Sequence, residues 1–214
     1  MLKAVIFDLD GVIVDSEPLH FAADLLTAAD YGAGVTEDDL FAYVGTAGPE
    51  MWADLIEKYG IQDTLEGVIA RQTLHKLELL KQRRMAAIPG VMELLAEAAR
   101  SGLSIGLASS SPRYFIEAMV ENLGIGGYFG AVVSGEEVAQ SKPAPHIFLK
   151  TASLLGVESC ACLVIEDSSH GVRAAKAAGM VCVGFVNPTS GTQDLSPADM
   201  IVCSIADIDL NRFC

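Results

Sequence analysis

The chain has 214 residues, of which 28 are acidic and 14 are basic, so its formal net charge is −14. Hydrophobic residues make up 51% of the chain and charged residues 20%, a composition typical of a globular protein and not of a disordered one. A chain this acidic has no overall attraction for nucleic acid or for an anionic membrane. An anionic ligand would therefore need a local positive site, such as a metal ion, a lysine or a helix N-terminus.

The sequence predicts a reduced, cytoplasmic protein. The apolar segment after Lys3 extends only from Ala4 to Phe7, which does not fit a signal peptide. No uninterrupted apolar stretch is long enough to span a bilayer. The five cysteines have a spacing that fits neither a disulfide framework nor a zinc ribbon. We therefore expect free thiols, as in a reducing compartment.

Short apolar segments that end abruptly at a polar residue recur along the chain. Such segments are typical of strands buried on both faces of a parallel sheet. Amphipathic helical patterns separate them over residues 90–100, 112–123, 145–155 and 168–178. Strand followed by helix, repeated, predicts a doubly wound α/β fold. The predicted strands are Ala4–Phe7, Leu103–Ala108, Ala131–Val133, Cys162–Ile165 and Val181–Val186, with Ile201–Val202 as a short last strand.

Residues 16–85 differ from the rest of the chain. They show helical periodicity, they are punctuated by glycine and proline, and they contain no convincing strand. The simplest interpretation is a small helical domain inserted after the first strand. The predicted organisation is therefore an α/β core of residues 1–15 and 86–214 with a helical insert of residues 16–85. Ile205–Leu210 is predicted to form a final turn or helix.

Polar residues follow three of the predicted strands. Asp8 follows the first, Ser109 the second, and the pair Glu166-Asp167 the fourth. Ligands of an open parallel sheet bind beyond the carboxyl ends of its strands, so we expect these residues to lie close together. Lys142, predicted at the start of a nearby helix, adds one cation to this group.

Asp8 and Asp10 lie two positions apart, so both carboxylates point the same way if the strand continues. Two close carboxylates do not both ionise cheaply. One can therefore attack as an anion while the other acts as a general acid and then as a general base. With Asp167, this oxygen-rich set suits Mg²⁺, which would offset repulsion between a carboxylate nucleophile and a phosphate. Lys142 and the Ser109 hydroxyl would hold the phosphoryl oxygens.

Each of these residues also has a structural interpretation. A serine or aspartate after a strand commonly caps the next helix, which applies to Ser109 and Asp167. Lys142 alone is compatible with a solvated surface charge, and an Asp-x-Asp pair alone with a turn. The four positions in this order favour a site over a set of independent caps.

The segment from Asp8 to Glu17, Asp-Leu-Asp-Gly-Val-Ile-Val-Asp-Ser-Glu, resembles the first motif of the haloacid dehalogenase (HAD) superfamily. Ser109 matches the second motif, Lys142 in Ser-Lys-Pro-Ala-Pro the third, and Glu166-Asp167 the fourth. All four motifs occur in order, and the resemblance extends from residue 1 to about residue 190. It points to the β-phosphoglucomutase-like and sugar-phosphate phosphatase branch, which carries a helical cap between the first two motifs.

The resemblance implies that Asp8 forms an aspartyl-phosphate and that Asp10 protonates the leaving group and then activates the acceptor. It implies Mg²⁺ bound by the Asp8 carboxylate, the Asp10 backbone carbonyl and Asp167, with Glu166 beside the metal. The implied phosphoryl-binding residues are Ser109 and Lys142, with the backbone near Ser110.

Two departures from the β-phosphoglucomutase pattern bear on the reaction. A mutase must bind a second, non-transferring phosphate. The β-phosphoglucomutase pattern has an arginine in the cap loop, which is residues 44–49 here, and Gly48 occupies that position in this chain. Ser111-Pro112-Arg113 replaces a Ser-Lys-Asn sequence, although Arg113 offers a partial replacement for the missing cation. We therefore predict a Mg²⁺-dependent phosphatase acting on a small phosphorylated metabolite, preferably a sugar phosphate. The alternatives are a β-phosphoglucomutase and a non-catalytic phosphate-binding module.

Within the insert, His20 and Arg71 align with positions that assist closure over substrate in this branch. Alternatively, His20 is an ordinary polar residue of the first insert helix, and Arg71 belongs to a solvated basic face. Met51 and Trp52 are predicted to lie in the core of the insert. Beyond a small phosphorylated substrate we expect no nucleic acid, no membrane and no obligate protein partner.

Overall fold

The computed structural model describes residues 1–43 and 48–213. The chain separates into two compact units. The α/β unit consists of Met1–Asp15 and Met85–Cys214, and the helical unit of Ser16–Arg84. Within the described ranges, the model contains no helix with both the length and the apolar character that a transmembrane segment requires.

The helical unit contains α1 (Glu17–Asp30), α2 (Glu37–Phe41), α3 (Gly48–Tyr59) and α4 (Leu65–Gln82). The Thr64 hydroxyl caps α4 by accepting from the Gly67 N–H at 3.1 Å, which satisfies one of the orphan donors of the first turn. Trp52 and Met51 are buried in the core of this unit, as predicted.

The α/β unit is built on a six-stranded, all-parallel sheet with the order β3-β2-β1-β4-β5-β6. The predicted doubly wound fold is confirmed, and three strands extend slightly further than predicted, to Ser109, Ser134 and Glu166. The strands are β1 (Ala4–Phe7), β2 (Ser104–Ser109), β3 (Ala131–Ser134), β4 (Cys162–Glu166), β5 (Val181–Phe185) and β6 (Met200–Val202).

Four helices flank the sheet: α5 (Val91–Arg100), α6 (Arg113–Leu123), α7 (His146–Leu155) and α8 (Ser169–Ala177). All four residues of β1 are buried, because β1 lies between β2 and β4 with helices in the connections on either side. Short 3₁₀ turns at Ile205–Asp207 and Leu210–Phe213 form the predicted final turn.

The register of the sheet brings the predicted site residues to one edge. Phe7 pairs with Leu107 of β2 and with Ile165 of β4. The residues that follow, Asp8 on the central strand and Glu166 on its neighbour, therefore leave the sheet side by side. The apolar strands thus anchor a polar edge at their carboxyl ends, where this fold class binds its ligands.

Candidate active site

Lys142 lies between two buried carboxylates at the carboxyl edge of the sheet. Its Nζ is 2.6 Å from Asp8 Oδ1 and 2.6 Å from Glu166 Oε1, and it also donates to the Ala108 carbonyl at 3.3 Å. The side chains of Lys142, Asp8 and Glu166 are only 6%, 8% and 1% exposed. Burial opposes the charge on Lys142, but the carboxylates of Asp8 and Glu166 outweigh it and raise the lysine pKa. The lysine therefore stays a cation.

The position of Lys142 differs from the prediction in one respect. Helix α7 begins at His146, so Lys142 lies in the loop before the helix and not in its first turn. A loop lets the side chain reach across the strand ends, whereas a first-turn residue would be held to the direction of the helix axis. The predicted association with Asp8 is nevertheless present.

Excess negative charge characterises this edge. Burial raises the pKa of Asp8 well above its ordinary value; Lys142 lowers it, and Glu166, Asp10 and Asp167 raise it. Burial, followed by the charge of Glu166, raises the pKa of Asp167 to about 7, against a hydrogen bond from Ser190 that lowers it. One lysine does not balance this many carboxylates, so the site has a place for further positive charge.

Two hydroxyl groups converge on one carboxylate oxygen of Asp10. Ser109 Oγ donates to Asp10 Oδ2 at 3.1 Å, and Ser111 Oγ donates to the same oxygen at 2.7 Å. The Ser111 N–H in turn donates to Ser109 Oγ at 3.0 Å. Ser111 is absent from the predicted site residues; the local signal for this turn is Ser109, whose hydroxyl accepts from the N–H two residues on.

Glu166 bonds to protein donors through both of its oxygens. Oε1 accepts from Lys142, and Oε2 accepts from Ser168 N–H at 2.8 Å and from Ser168 Oγ at 2.9 Å. Close approach of α8 requires Gly171, because a Cβ there would lie 1.6 Å from Glu166 Oε1. Glu166 therefore orients Lys142, and its predicted place beside a metal ion stays a prediction.

Asp167 faces Gly11, the residue after the first motif pair. Gly11 has φ +81°, and a Cβ there would lie 2.0 Å from Asp167 Oδ2, so only glycine leaves this space open. The Gly11 carbonyl accepts from Asn187 Nδ2 at 3.0 Å, and Asp167 Oδ2 accepts from the Ser190 hydroxyl. No local pattern in the sequence predicts Ser190, which comes from a distant loop after β5.

These residues fit a hard divalent cation. The predicted ligands are the carboxylates of Asp8 and Asp167 and the backbone carbonyl of Asp10, all oxygen donors of the kind Mg²⁺ prefers. Within residues 1–43 and 48–213 no group of three acidic, histidine or cysteine side chains is arranged as a metal site. The predicted ligands include only two such side chains, the carboxylates of Asp8 and Asp167, because Asp10 would bind through its backbone carbonyl. The close approach of the Asp167 carboxylate to Gly11 and the uncompensated carboxylates agree with this ligand set.

Other predicted residues lie elsewhere in the chain. Ser110 is exposed between β2 and α6. His20 lies in α1 and Arg71 in α4, both in the helical unit, where Arg71 Nε is 3.4 Å from Asp30 Oδ2. Their predicted role toward substrate stays a prediction. Gly48 begins α3, whereas residues 44–47 of the predicted cap loop lie outside the described residues.

Arg113 contacts acidic partners at the start of α6. Its Nη2 donates to the Val132 carbonyl at 2.9 Å and to Glu137, and its backbone N–H donates to Glu136 Oε2 at 2.9 Å. Lys150 Nζ also contacts Glu137, at 3.0 Å. Arg113 is thus paired with Glu137, and its role as a partial replacement for the missing cation stays a prediction.

Comparison with known proteins places the chain in a family. The model of the haloacid dehalogenase-like hydrolases matches residues 5–185. The Phosphorylated carbohydrates phosphatase of Thermotoga maritima is 37% identical over 183 residues, covering 84% of this chain and 82% of that protein. The Protein SUPPRESSOR OF QUENCHING 1, chloroplastic, of Arabidopsis thaliana is 32% identical over 98% of this chain, which spans only 20% of that protein.

A solved structure agrees with this placement. The crystal structure of β-phosphoglucomutase from Clostridium difficile matches with a TM-score of 0.81 at 27% identity, covering 99% of this chain and 95% of that one. The resemblance inferred from the four motifs is therefore confirmed. The chain belongs to the haloacid dehalogenase-like hydrolases and is a phosphoric monoester hydrolase of that family.

Proposed function

We propose that this hydrolase is a Mg²⁺-dependent phosphatase that cleaves a small phosphorylated carbohydrate through an aspartyl-phosphate at Asp8. The observation that carries the proposal is the buried Asp8–Lys142–Glu166 arrangement, in which Lys142 Nζ lies 2.6 Å from each carboxylate. A nucleophilic carboxylate must stay ionised in a buried site. The adjacent cation opposes the effect of burial on Asp8 and fixes the direction of its side chain.

In the proposed first step an Asp8 oxygen attacks phosphorus, a new P–O bond forms, and the ester P–O bond to the sugar breaks. Asp10 gives its proton to the departing alkoxide oxygen. In the second step Asp10 takes a proton from water, whose oxygen attacks the same phosphorus. The bond to Asp8 then breaks, phosphate leaves, and both aspartates return to their starting states.

The magnesium ion would be held by the carboxylates of Asp8 and Asp167 and by the Asp10 carbonyl. Bound there, it would supply positive charge to phosphoryl oxygens and reduce their repulsion by the carboxylates. Lys142 would contribute the protein's own positive charge to the same oxygens. Glu166, bonded to Lys142 and Ser168, keeps the lysine in place for this role.

Water is the favoured acceptor in this proposal, and β-phosphoglucomutase activity remains the alternative. The phosphatase name of the Thermotoga maritima relative supports hydrolysis of phosphorylated carbohydrates. Gly48 in place of an arginine and the engagement of Arg113 by Glu137 argue against a grip on a second phosphate.

A substrate panel tests the proposal. With Mg²⁺, the purified chain is expected to release phosphate from sugar and polyol monophosphates and from p-nitrophenyl phosphate, and EDTA is expected to stop this release. Asp8→Asn removes the nucleophile with almost no change in shape, so turnover should fall by about 10³-fold or more. Asp207→Asn, on an exposed 3₁₀ turn of the same unit, is the matched control and should leave turnover unchanged.

Two outcomes would contradict the proposal. Turnover of no phosphate ester across the panel would favour a phosphate-binding module. Conversion of β-glucose 1-phosphate to glucose 6-phosphate that is faster than phosphate release would favour the mutase.

A further inference from the structure

Ser111 contacts the side chain of Asp10, whereas the sequence names it only as the first residue of the Ser111-Pro112-Arg113 segment and gives it no role toward Asp10. Its hydroxyl donates to Asp10 Oδ2 at 2.7 Å, closer than the 3.1 Å donation from Ser109. The Ser111 N–H occupies a lone pair of Ser109 Oγ at 3.0 Å, which directs the Ser109 proton toward Asp10. Two hydroxyl groups thus hold one oxygen of this carboxylate against the end of β2.

The segment that carries Ser111 is held in turn from β3. The buried Ser134 hydroxyl donates to the Ser111 carbonyl at 2.7 Å, and the Ser134 N–H donates to Glu137 Oε1 at 3.0 Å. Glu137 is itself held by Arg113 and by Lys150. A continuous set of contacts therefore runs from the third strand to Asp10, and its last member before Asp10 is Ser111.

We propose that Ser111 is a positioning residue for Asp10, acting through the hydrogen bond from its hydroxyl to Oδ2. The inference rests on the proposed function, because it concerns the proton that Asp10 delivers to the leaving group. Proton delivery depends on holding the acid within hydrogen-bonding reach of the oxygen it protonates. A carboxyl group that loses the shorter of these two hydrogen bonds samples other rotamers more often and spends less time in that geometry.

The basicity of the leaving group separates this role from a merely structural one. A sugar 6-phosphate leaves as a strongly basic primary alkoxide and needs a proton in the transition state. p-Nitrophenyl phosphate leaves as a stabilised phenolate and needs little help. Because kcat/KM covers the steps through departure of the leaving group, poor positioning of Asp10 lowers kcat/KM for the sugar ester and largely spares it for the aryl ester.

The test compares Ser111→Ala with the wild type on both ester classes, with Mg²⁺ present. The sugar probe is whichever of glucose 6-phosphate, fructose 6-phosphate and sorbitol 6-phosphate the wild type hydrolyses fastest. We expect kcat/KM for this ester to fall about tenfold and that for p-nitrophenyl phosphate to change less than about twofold. Both esters are measured on one preparation, so any loss of folded protein cancels in their ratio.

Two further variants complete the design. Ser111→Thr keeps the hydroxyl group and should restore kcat/KM for the sugar ester to within about threefold of the wild type. Ser153→Ala, on the exposed side of α7, is the matched serine control and should change neither value.

Equal losses on the two esters, no loss on either, or failure of Ser111→Thr to restore the sugar ester would each overturn this inference alone. A wild type that turns over neither ester class would overturn the proposed function, and the inference with it. Failure of the inference about Ser111 and failure of the proposed function are therefore distinguishable in one set of assays.

Discussion

Both units of the chain bury carboxylates, but they compensate the charge differently. In the α/β unit, Asp8 and Glu166 share one buried cation, Lys142, at 2.6 Å from each. In the helical unit, Asp24 is 4% exposed and accepts hydrogen bonds from the indole N–H of Trp52 and the amide of Gln72. The α/β carboxylates thus have a cation in direct contact, whereas the Trp52 and Gln72 groups that donate to Asp24 are neutral.

Asp24 and Asp8 differ in what opposes the effect of burial on their pKa values. In the helical unit, burial raises the pKa of Asp24, while the Gln72 hydrogen bond and then the charges of Lys76 and His20 lower it. Burial raises the pKa of Asp8 as well, but there the strongest opposing influence is a cation in direct contact. Breaking the α/β arrangement should therefore cost more than breaking the helical one.

The largest effect is expected for Lys142→Met, which leaves two buried carboxylates facing each other. Turnover should be lost, and the free energy of unfolding at pH 7 should fall by about 3–5 kcal/mol, as for other broken buried ion pairs. Without the lysine the pKa of Asp8, which burial already raises, should rise further above its unfolded value. The stability of the variant should therefore recover relative to the wild type as the pH falls and Asp8 becomes protonated.

Urea unfolding followed by far-UV circular dichroism at pH 7 and pH 5 measures this effect. Lys150→Met is the matched control, since Lys150 is 36% exposed and its partner Glu137 has other donors. A loss below about 1 kcal/mol at pH 7, the range of a surface pair, would show that the α/β arrangement is not the stronger of the two.

A smaller loss is expected in the helical unit for Asp24→Leu. This change leaves the Trp52 N–H and the Gln72 amide without their buried acceptor, at a cost of about 2–3 kcal/mol. Asp24→Asn keeps an acceptor oxygen and removes the buried charge, so its stability at pH 7 should equal or exceed that of the wild type. Trp52 is the only tryptophan, so its fluorescence during urea unfolding reports on this unit.

The stability difference between Asp24→Asn and the wild type should depend on pH. Because the pKa of Asp24 is raised in the folded state, the folded protein binds this proton more tightly than the unfolded chain. The stability it contributes is therefore present at low pH and is lost as pH rises through the folded pKa. The advantage of Asp24→Asn over the wild type should grow from pH 4 to pH 7, and a constant difference would contradict a raised pKa.

The smallest effect concerns a glycine with a purely backbone role. At Gly11 of the α/β unit a Cβ would collide with Asp167, whereas at Gly32 of the helical unit, with φ +68°, no atom lies within 4 Å of a Cβ. Gly32→Ala should therefore cost only the backbone strain, about 1–2 kcal/mol. Gly34, also with nothing within 4 Å but without a positive φ, is the control in the same loop.

Gly34→Ala should be neutral or slightly stabilising, because it reduces the freedom of the unfolded chain. Both glycine variants are compared by Trp52 fluorescence during urea unfolding. Equal free energies of unfolding for Gly32→Ala and Gly34→Ala would contradict the prediction, because alanine would then adopt the left-handed conformation at Gly32 without cost.

Much of the fold and part of the site follow from local patterns. The apolar segments before Asp8, Ser109 and Glu166 predict parallel strands, and parallel strands bring their carboxyl ends to one edge. Lys142 lies where that reasoning expects a cation. Helix α7 begins later than predicted, at His146, so Lys142 lies in the loop before it.

The contacts that refine the site were not predictable in this way. Ser111 and Asp10 lie about a hundred positions apart in the chain and meet at 2.7 Å. Ser190 reaches Asp167 from the loop after β5, and Arg113 bonds to Glu137, a partner that its sequence neighbours do not indicate. Each such partner depends on how two distant loops approach each other, which no local period in the sequence records.

Local patterns are enough to predict the strand–helix alternation, the periodicity of the helical insert and the four motifs that indicate the family, because hydrophobic period and residue spacing are local properties of the chain. The pairing of donors with acceptors depends on the three-dimensional fold: Lys142 with both Asp8 and Glu166, Ser111 with Asp10, and Gln72 and Trp52 with Asp24. The two kinds of information differ in their length scale. Burial responds to the average hydrophobicity of a segment, whereas a hydrogen bond forms only within a few tenths of an ångström of its preferred length.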